Sequence, residues 1–136
     1  MNILNKFSII TFIISSGMSL FAQNGTEINF TAPHGGQIRQ SDQYYIEFLF
    51  STVNSYVYLY DQKAHPVSNV DVSGKLIFKQ YDSTITAVIL KQLVDYGFTA
   101  DTNIPMYSIC TVALMVKGKN LSVDFDYQES VAEQKK

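Results

Sequence analysis

Along this chain, hydrophobic and polar positions alternate in pairs and do not recur every third or fourth residue. Between residues 121 and 127, Leu121, Val123, Phe125 and Tyr127 share one parity, and Ser122, Asp124 and Asp126 share the other. Successive side chains of an extended strand point to opposite faces, so this spacing predicts a half-buried strand with an acidic outer face. The same test on 44–50 turns Tyr44, Ile46, Phe48 and Phe50 inward and Tyr45, Glu47 and Leu49 outward. On 56–60 it turns Val57 and Leu59 inward and leaves Tyr56, Tyr58 and Tyr60 on the other face. If these two strands pair, their outer faces form a tyrosine-rich patch of Tyr45, Tyr56, Tyr58 and Tyr60, with Glu47 inside it.

Further strands are predicted at 75–81, 84–90, 97–101 and 107–116. Turn-like breaks separate them at 52–55, 64–68, 82–83, 103–105 and 117–120. No long stretch shows helical periodicity. Short strands at this spacing predict an all-β fold, a single antiparallel immunoglobulin-like β-sandwich of about seven strands. The last two strands read as a hairpin, because Gly118 can take the positive φ of a tight turn.

The N-terminus breaks this pattern. MNILNKFSIITFIISSGMSLFA carries Lys6, then an apolar run from 7 to 20, then small residues ending at Ala22. That is the form of a secretory signal peptide over 1–22, with cleavage after Ala22. The run is shorter than the roughly 20 residues that span a bilayer, so the mature chain is expected to have no integral membrane span. The expected domain is 23–136, periplasmic or secreted, with a polar tail that frays from about 128.

Charge narrows the partners. The chain has 10 basic and 12 acidic side chains. The leader removes only Lys6, leaving a net charge of about −3. No basic stripe exists, so nucleic acid is not an expected partner. Cys110 is the only cysteine, which leaves no internal disulfide. On 107–116 it shares a face with Val112, Leu114 and Val116, a core face where cysteine acts as a small hydrophobe.

The residues with chemical potential are few. Pro33-His34-Gly35-Gly36 forms a tight corner ahead of the first strand, with proline fixing φ and glycines freeing the backbone after the imidazole. His34 there is a turn residue or a metal ligand. His65 precedes Pro66 and belongs to an extended loop segment. Met106, beside Pro105, is the remaining soft ligand, since Met115 points away from Cys110. Asp124 and Asp126 form a solvated acidic face. The tyrosine stripe is either an interface or a second buried face. No nucleophile elbow, metalloprotease helix or phosphate loop is present, and the chain is read as non-enzymatic.

Three segments carry a resemblance: APHGGQIRQSDQYYIEFLF (32–50), VYLYDQKAHPVSNVDVSGKLIF (57–78) and ALMVKGKNLSVDFDY (113–127). Their order and spacing resemble small exported bacterial β-domains with a PHGG motif, similar to segments that accompany periplasmic adaptor proteins of heavy-metal efflux systems of the RND class. In that comparison His34 matches the motif histidine, Glu47 the strand acid and Asp61 the acid closing the second strand. The chain departs where such domains often carry a histidine two residues before the strand acid; here Tyr45 stands in that place. The resemblance implies a non-enzymatic periplasmic binding module associated with heavy-metal transport or resistance. Copper or zinc would sit at His34 and Glu47, with His65 or Met106 as further ligands, and the partner would be an efflux adaptor or another envelope protein. The alternative is a metal-free envelope or secreted protein-interaction module that uses Tyr45, Tyr56, Tyr58 and Tyr60. A small hydrolase is the third reading, and the sequence offers no acid–base pair for it.

Overall fold

A computed structural model describes residues 30–127 of the chain. The expected signal peptide and the expected fraying tail lie outside the described residues. Every regular element within them is a strand: β1 (Gln37–Ser41), β2 (Tyr44–Leu49), β3 (Asn54–Tyr60), β4 (Val72–Lys79), β5 (Ile85–Ile89), β6 (Lys91–Gln92), β7 (Phe98–Asp101), β8 (Ile109–Val116) and β9 (Lys119–Asp126). They build two antiparallel sheets, ordered β1-β2-β3-β7-β6 and β5-β4-β8-β9. The fold is the expected all-β sandwich. Among the described residues no helix is long and apolar enough to cross a membrane.

Alternation explains the core. Ile46, Phe48, Val57 and Leu59 from one sheet meet Leu76, Phe78, Cys110, Val112, Leu114, Leu121 and Phe125 from the other. Cys110 is buried, as its parity predicts, and its burial pushes the thiol up from its ordinary range. The β8–β9 hairpin closes through Lys117 and Gly118, both at positive φ (51° and 78°). That pair of left-handed residues matches the twist of the flanking strands.

Two strands escape the pattern. β1 has exposed Arg39 and Gln40 between half-buried neighbours, so it lacks an apolar stripe and is not among the expected strands. It exists because β2 offers it a ladder from Ser41↔Tyr44 to Gln37↔Phe48. β6 is two exposed residues paired to β7. The start of β8 also moves: Tyr107 is not in the strand. It is a fully buried plug whose ring packs on Phe48, Phe50, Phe78 and Tyr127.

The β1 edge is tied to the other sheet. Gln37 donates to the Asp126 carbonyl at 3.0 Å, Lys119 pairs with Asp42, and the Arg39 guanidinium lies over the Phe125 ring.

Candidate functional site

The corner ahead of β1 is built by its own residues. The Gly35 amide donates to the Ala32 carbonyl at 3.2 Å, closing a turn with Pro33 in second position, which its fixed φ suits. Gly35 then takes φ +81°, a left-handed conformation that glycine adopts freely. Gly36 serves a different need. A Cβ there would lie 2.5 Å from the Phe48 carbonyl oxygen and 2.9 Å from Leu49, so the corner presses directly on β2.

That pressure places the corner over Glu47, whose outward direction is as expected but which the corner covers. Glu47 faces away from the sandwich core, yet its exposure is 0 %. Its Oε2 accepts the backbone N–H of His34 at 2.9 Å and of Gly36 at 3.0 Å. Its Oε1 accepts the Tyr60 hydroxyl at 2.7 Å and His34 Nδ1–H at 2.9 Å. A carboxylate has about four lone-pair sites, and four donors fill them. Burial and the Glu47 hydrogen bond both push the Tyr60 phenol well above its ordinary range, so Tyr60 remains a donor. Burial also raises Tyr58.

The His34 ring stacks on Tyr58, with centroids 3.7 Å apart and planes 8° from parallel. Stacking fixes the plane of the imidazole, and the Glu47 bond puts a proton on Nδ1. In the neutral ring the lone pair is then on Nε2, pointing away from Glu47. The side chain is 42 % exposed, so this nitrogen is the atom the corner offers to a ligand.

Beside it runs a groove of about 360 Å³, lined by His34, Tyr58, Tyr60, Pro66, Val94 and Tyr96 among others. Its far wall is held by Asn69, a buried amide that is not among the expected site residues. Asn69 Nδ2 donates to the carbonyls of Leu93 (2.6 Å) and Gly97 (2.9 Å), and its own carbonyl accepts Gln92 Nε2 at 2.6 Å. The wall residues Val94 and Tyr96 are exposed, in a loop that an isolated antiparallel bridge joins to Ser68 at Tyr96. Val-Asp-Tyr-Gly at 94–97 was a sequence signal for them, apolar side chains inside a turn-like segment.

The tyrosine stripe, expected as an interface or a second buried face, is partly covered by the same geometry. Tyr45, Tyr56, Tyr58 and Tyr60 do share a face, as the β2–β3 register requires. Tyr60, however, is 2 % exposed and the other three are half-buried. Phe30 covers Tyr45 and Tyr60 with centroids at 5.6 and 4.9 Å, and His34 covers Tyr58. The segment 30–36 roofs the stripe, so it presents a groove and not an open patch.

Of the expected metal group, His34 and Glu47 meet at 2.9 Å, and His65 does not join them. Among the described residues no three His, Cys, Asp or Glu side chains gather as a metal site. Glu47 has no free lone pair for a metal. His65 belongs to a separate loop: the Asp61 carboxylate accepts the N–H groups of Lys63 and His65, both at 2.9 Å, and the His65 ring lies 3.7 Å from it. Those N–H donors, His65 first, hold Asp61 below the usual carboxylate range. Asp61 therefore caps its own loop. Met106 is 48 % exposed ahead of β8, between Pro105 and buried Tyr107. Asp124 accepts the Thr111 hydroxyl at 2.6 Å on the exposed outer face of β8 and β9.

No family model, no curated protein and no solved structure matches the chain.

Proposed function

We propose that this chain is a non-enzymatic binding module of an exported envelope protein, with the groove beside His34 as its binding site. The observation that carries the reading is the pairing of one oriented imidazole with apolar walls. Concave, mostly apolar sites with a few fixed polar groups are where proteins take ligands. The chemistry of the groove suits a short apolar segment of a partner protein that offers one hydrogen-bond donor to Nε2. Acid–base catalysis gains no support, because Glu47, the carboxylate closest to the imidazole, is saturated and sealed from the groove.

A photo-crosslinking residue placed at Val94 tests this in cells that export the chain. A discrete adduct is expected at Val94 and is expected to be lost when His34→Ala is added. An adduct pattern matching that from Ser122, on the far side of the molecule, would remove the groove from consideration.

A metal-linked version of the same module is the second reading, favoured by one feature. The Glu47–His34 hydrogen bond is the carboxylate–histidine arrangement that orients metal-binding imidazoles through their other nitrogen. Only His34 would then ligate copper(I) or zinc(II) from this chain, and the remaining donors would come from the partner, such as an efflux adaptor. Titration of the purified protein with either ion separates the two readings. The first expects no change at the His34 imidazole, followed by NMR; weak binding at that ring, lost in His34→Ala, would support the second, since one imidazole without the partner's donors holds a metal only loosely.

A further inference from the structure

We infer that β5 is a self-pairing edge through which two copies of this chain join their four-stranded sheets into one continuous sheet. Edge strands present unpaired N–H and C=O groups, and proteins normally blunt them with charge, proline, bulges or a covering segment. The other edges here are blunted. β1 and β9 are tied across by the Lys119–Asp42 pair and the Gln37 bond to Asp126, β9 also carries Asp124 and Asp126, and β6 is two residues long. β5 reads Ile85-Thr86-Ala87-Val88-Ile89, with no charge and no proline. Among the described residues no strand pairs with its outer side.

The ladder to β4 fixes which groups are open. Gln80 donates to the Thr84 carbonyl at 2.8 Å, and Leu90 donates to the Gly74 carbonyl at 3.0 Å. In an antiparallel pair such bonds recur at every second residue. Thr86 and Val88 therefore bond toward β4, and the N–H and C=O of Ile85, Ala87 and Ile89 point outward. The same three residues place their side chains on the solvent face, where Ile85 is 65 % and Ile89 75 % exposed.

The strand is self-complementary about Ala87. An antiparallel copy on a two-fold axis through Ala87 sets Ile85 opposite Ile89 of the second copy, and Ala87 opposite itself. Every outward amide and carbonyl of the strand then gains a partner, and the exposed isoleucines pack across the seam in the isologous manner of a two-fold interface. Charge does not oppose it. The nearest lysines, Lys75 and Lys79, pair with Ile89 and Ile85 on β4. Across the seam they are three strand spacings apart, about 14 Å, beyond the screening length of about 8 Å in physiological salt. The pairing ends where Leu90 turns toward β6 and the other sheet. So short an edge buries little area, which makes the dimer reversible and not obligate.

Sedimentation equilibrium of the purified protein is expected to show a concentration-dependent rise to twice the monomer mass. Ala87→Lys places like charges directly across the axis and is expected to weaken the dimer about tenfold or more. Its thermal melt checks that it folds. Ala87→Cys is expected to give a covalent dimer with a short bismaleimide, while Ser122→Cys does not. Buried Cys110 stays out of that reaction. A monomer at every concentration overturns the proposal. So does a dimer that survives Ala87→Lys and fails to cross-link at position 87.

Discussion

His34 Nδ1 lies 2.9 Å from Glu47 Oε1, and the backbone N–H of the same histidine lies 2.9 Å from Glu47 Oε2. One residue grips both oxygens of a buried carboxylate, through side chain and main chain at once. The backbone half of that grip does not depend on the imidazole. His34→Ala is therefore expected to cost about 1–2 kcal/mol, since Oε1 keeps the Tyr60 hydroxyl and Oε2 keeps both amides. Glu47→Gln replaces an acceptor by a group that also donates, opposite donors that do not move, and is expected to cost about 3 kcal/mol or more. Urea unfolding of the two variants checks the order. If His34→Ala proves the more damaging, the corner is held by the imidazole and not by its amides.

The two corner glycines should differ for separable reasons. Gly35 has open space around its Cβ position but sits at φ +81°. Gly35→Ala carries only the left-handed backbone cost, about 1 kcal/mol. Gly36→Ala drives a methyl to within 2.5 Å of a backbone oxygen of β2, which cannot yield without moving the strand. A loss of about 2–4 kcal/mol is expected, by the overpacking mechanism. The Gly36 variant should also expose the Tyr58 and Tyr60 rings, read by near-ultraviolet circular dichroism. Equal losses at the two positions would mean that the corner does not press on β2.

Much of this fold was legible because parity is a local property. Leu121, Val123 and Phe125 against Ser122, Asp124 and Asp126 specify a face with no knowledge of the partner strand. The same rule could not report the burial of Glu47. Its parity says away from the core, which is true, but the cover comes from residues 30–36, and nothing local in YYIEFL reports a roof. β1 was missed for a related reason: its ladder depends on β2, while its own side chains are mostly polar. The groove wall at 93–97 is held by Asn69, 24 residues before Leu93 in the chain, and a lone asparagine in a loop gives no hint of such a reach. Of the site, His34 and Glu47 were readable as a pair. Their roles were not, because saturation of a carboxylate is a count of converging donors.

Tyr107 supplies a test of what a buried hydroxyl costs. Its ring is fully buried among Phe48, Phe50, Phe78 and Tyr127, and its hydroxyl finds no hydrogen-bond partner among the described residues. An unsatisfied buried hydroxyl is unfavourable, so Tyr107→Phe keeps the packing and removes the penalty. Stability is expected to stay level or to rise by about 1 kcal/mol. Tyr107→Ala is expected to lose about 3–5 kcal/mol through the cavity it leaves. A marked loss in Tyr107→Phe, measured by thermal melting, would show that the hydroxyl is bonded after all.

The buried acids that hold their protons make the fold sensitive to alkali. Burial pushes the Cys110 thiol and the Tyr107 phenol up, and burial with the Glu47 hydrogen bond does the same to Tyr60. In the unfolded chain the thiol ionises near pH 8.5 and the phenols near pH 10. Above those values the folded state binds more protons than the unfolded state, so stability falls as pH rises. Each group adds a slope of at most about 1.4 kcal/mol per pH unit. The contribution of these groups is therefore at full strength below about pH 8.5, begins to fall through the thiol range and falls more steeply above about pH 10. Urea midpoints measured across that range should show this shape, and Cys110→Ala should delay the fall until the phenol range. Phenolate absorbance from Tyr60 and Tyr107 should appear only together with unfolding. A midpoint that stays flat past pH 10 would mean that these groups reach water in the folded state, and that the sandwich core opens where the packing says it is closed.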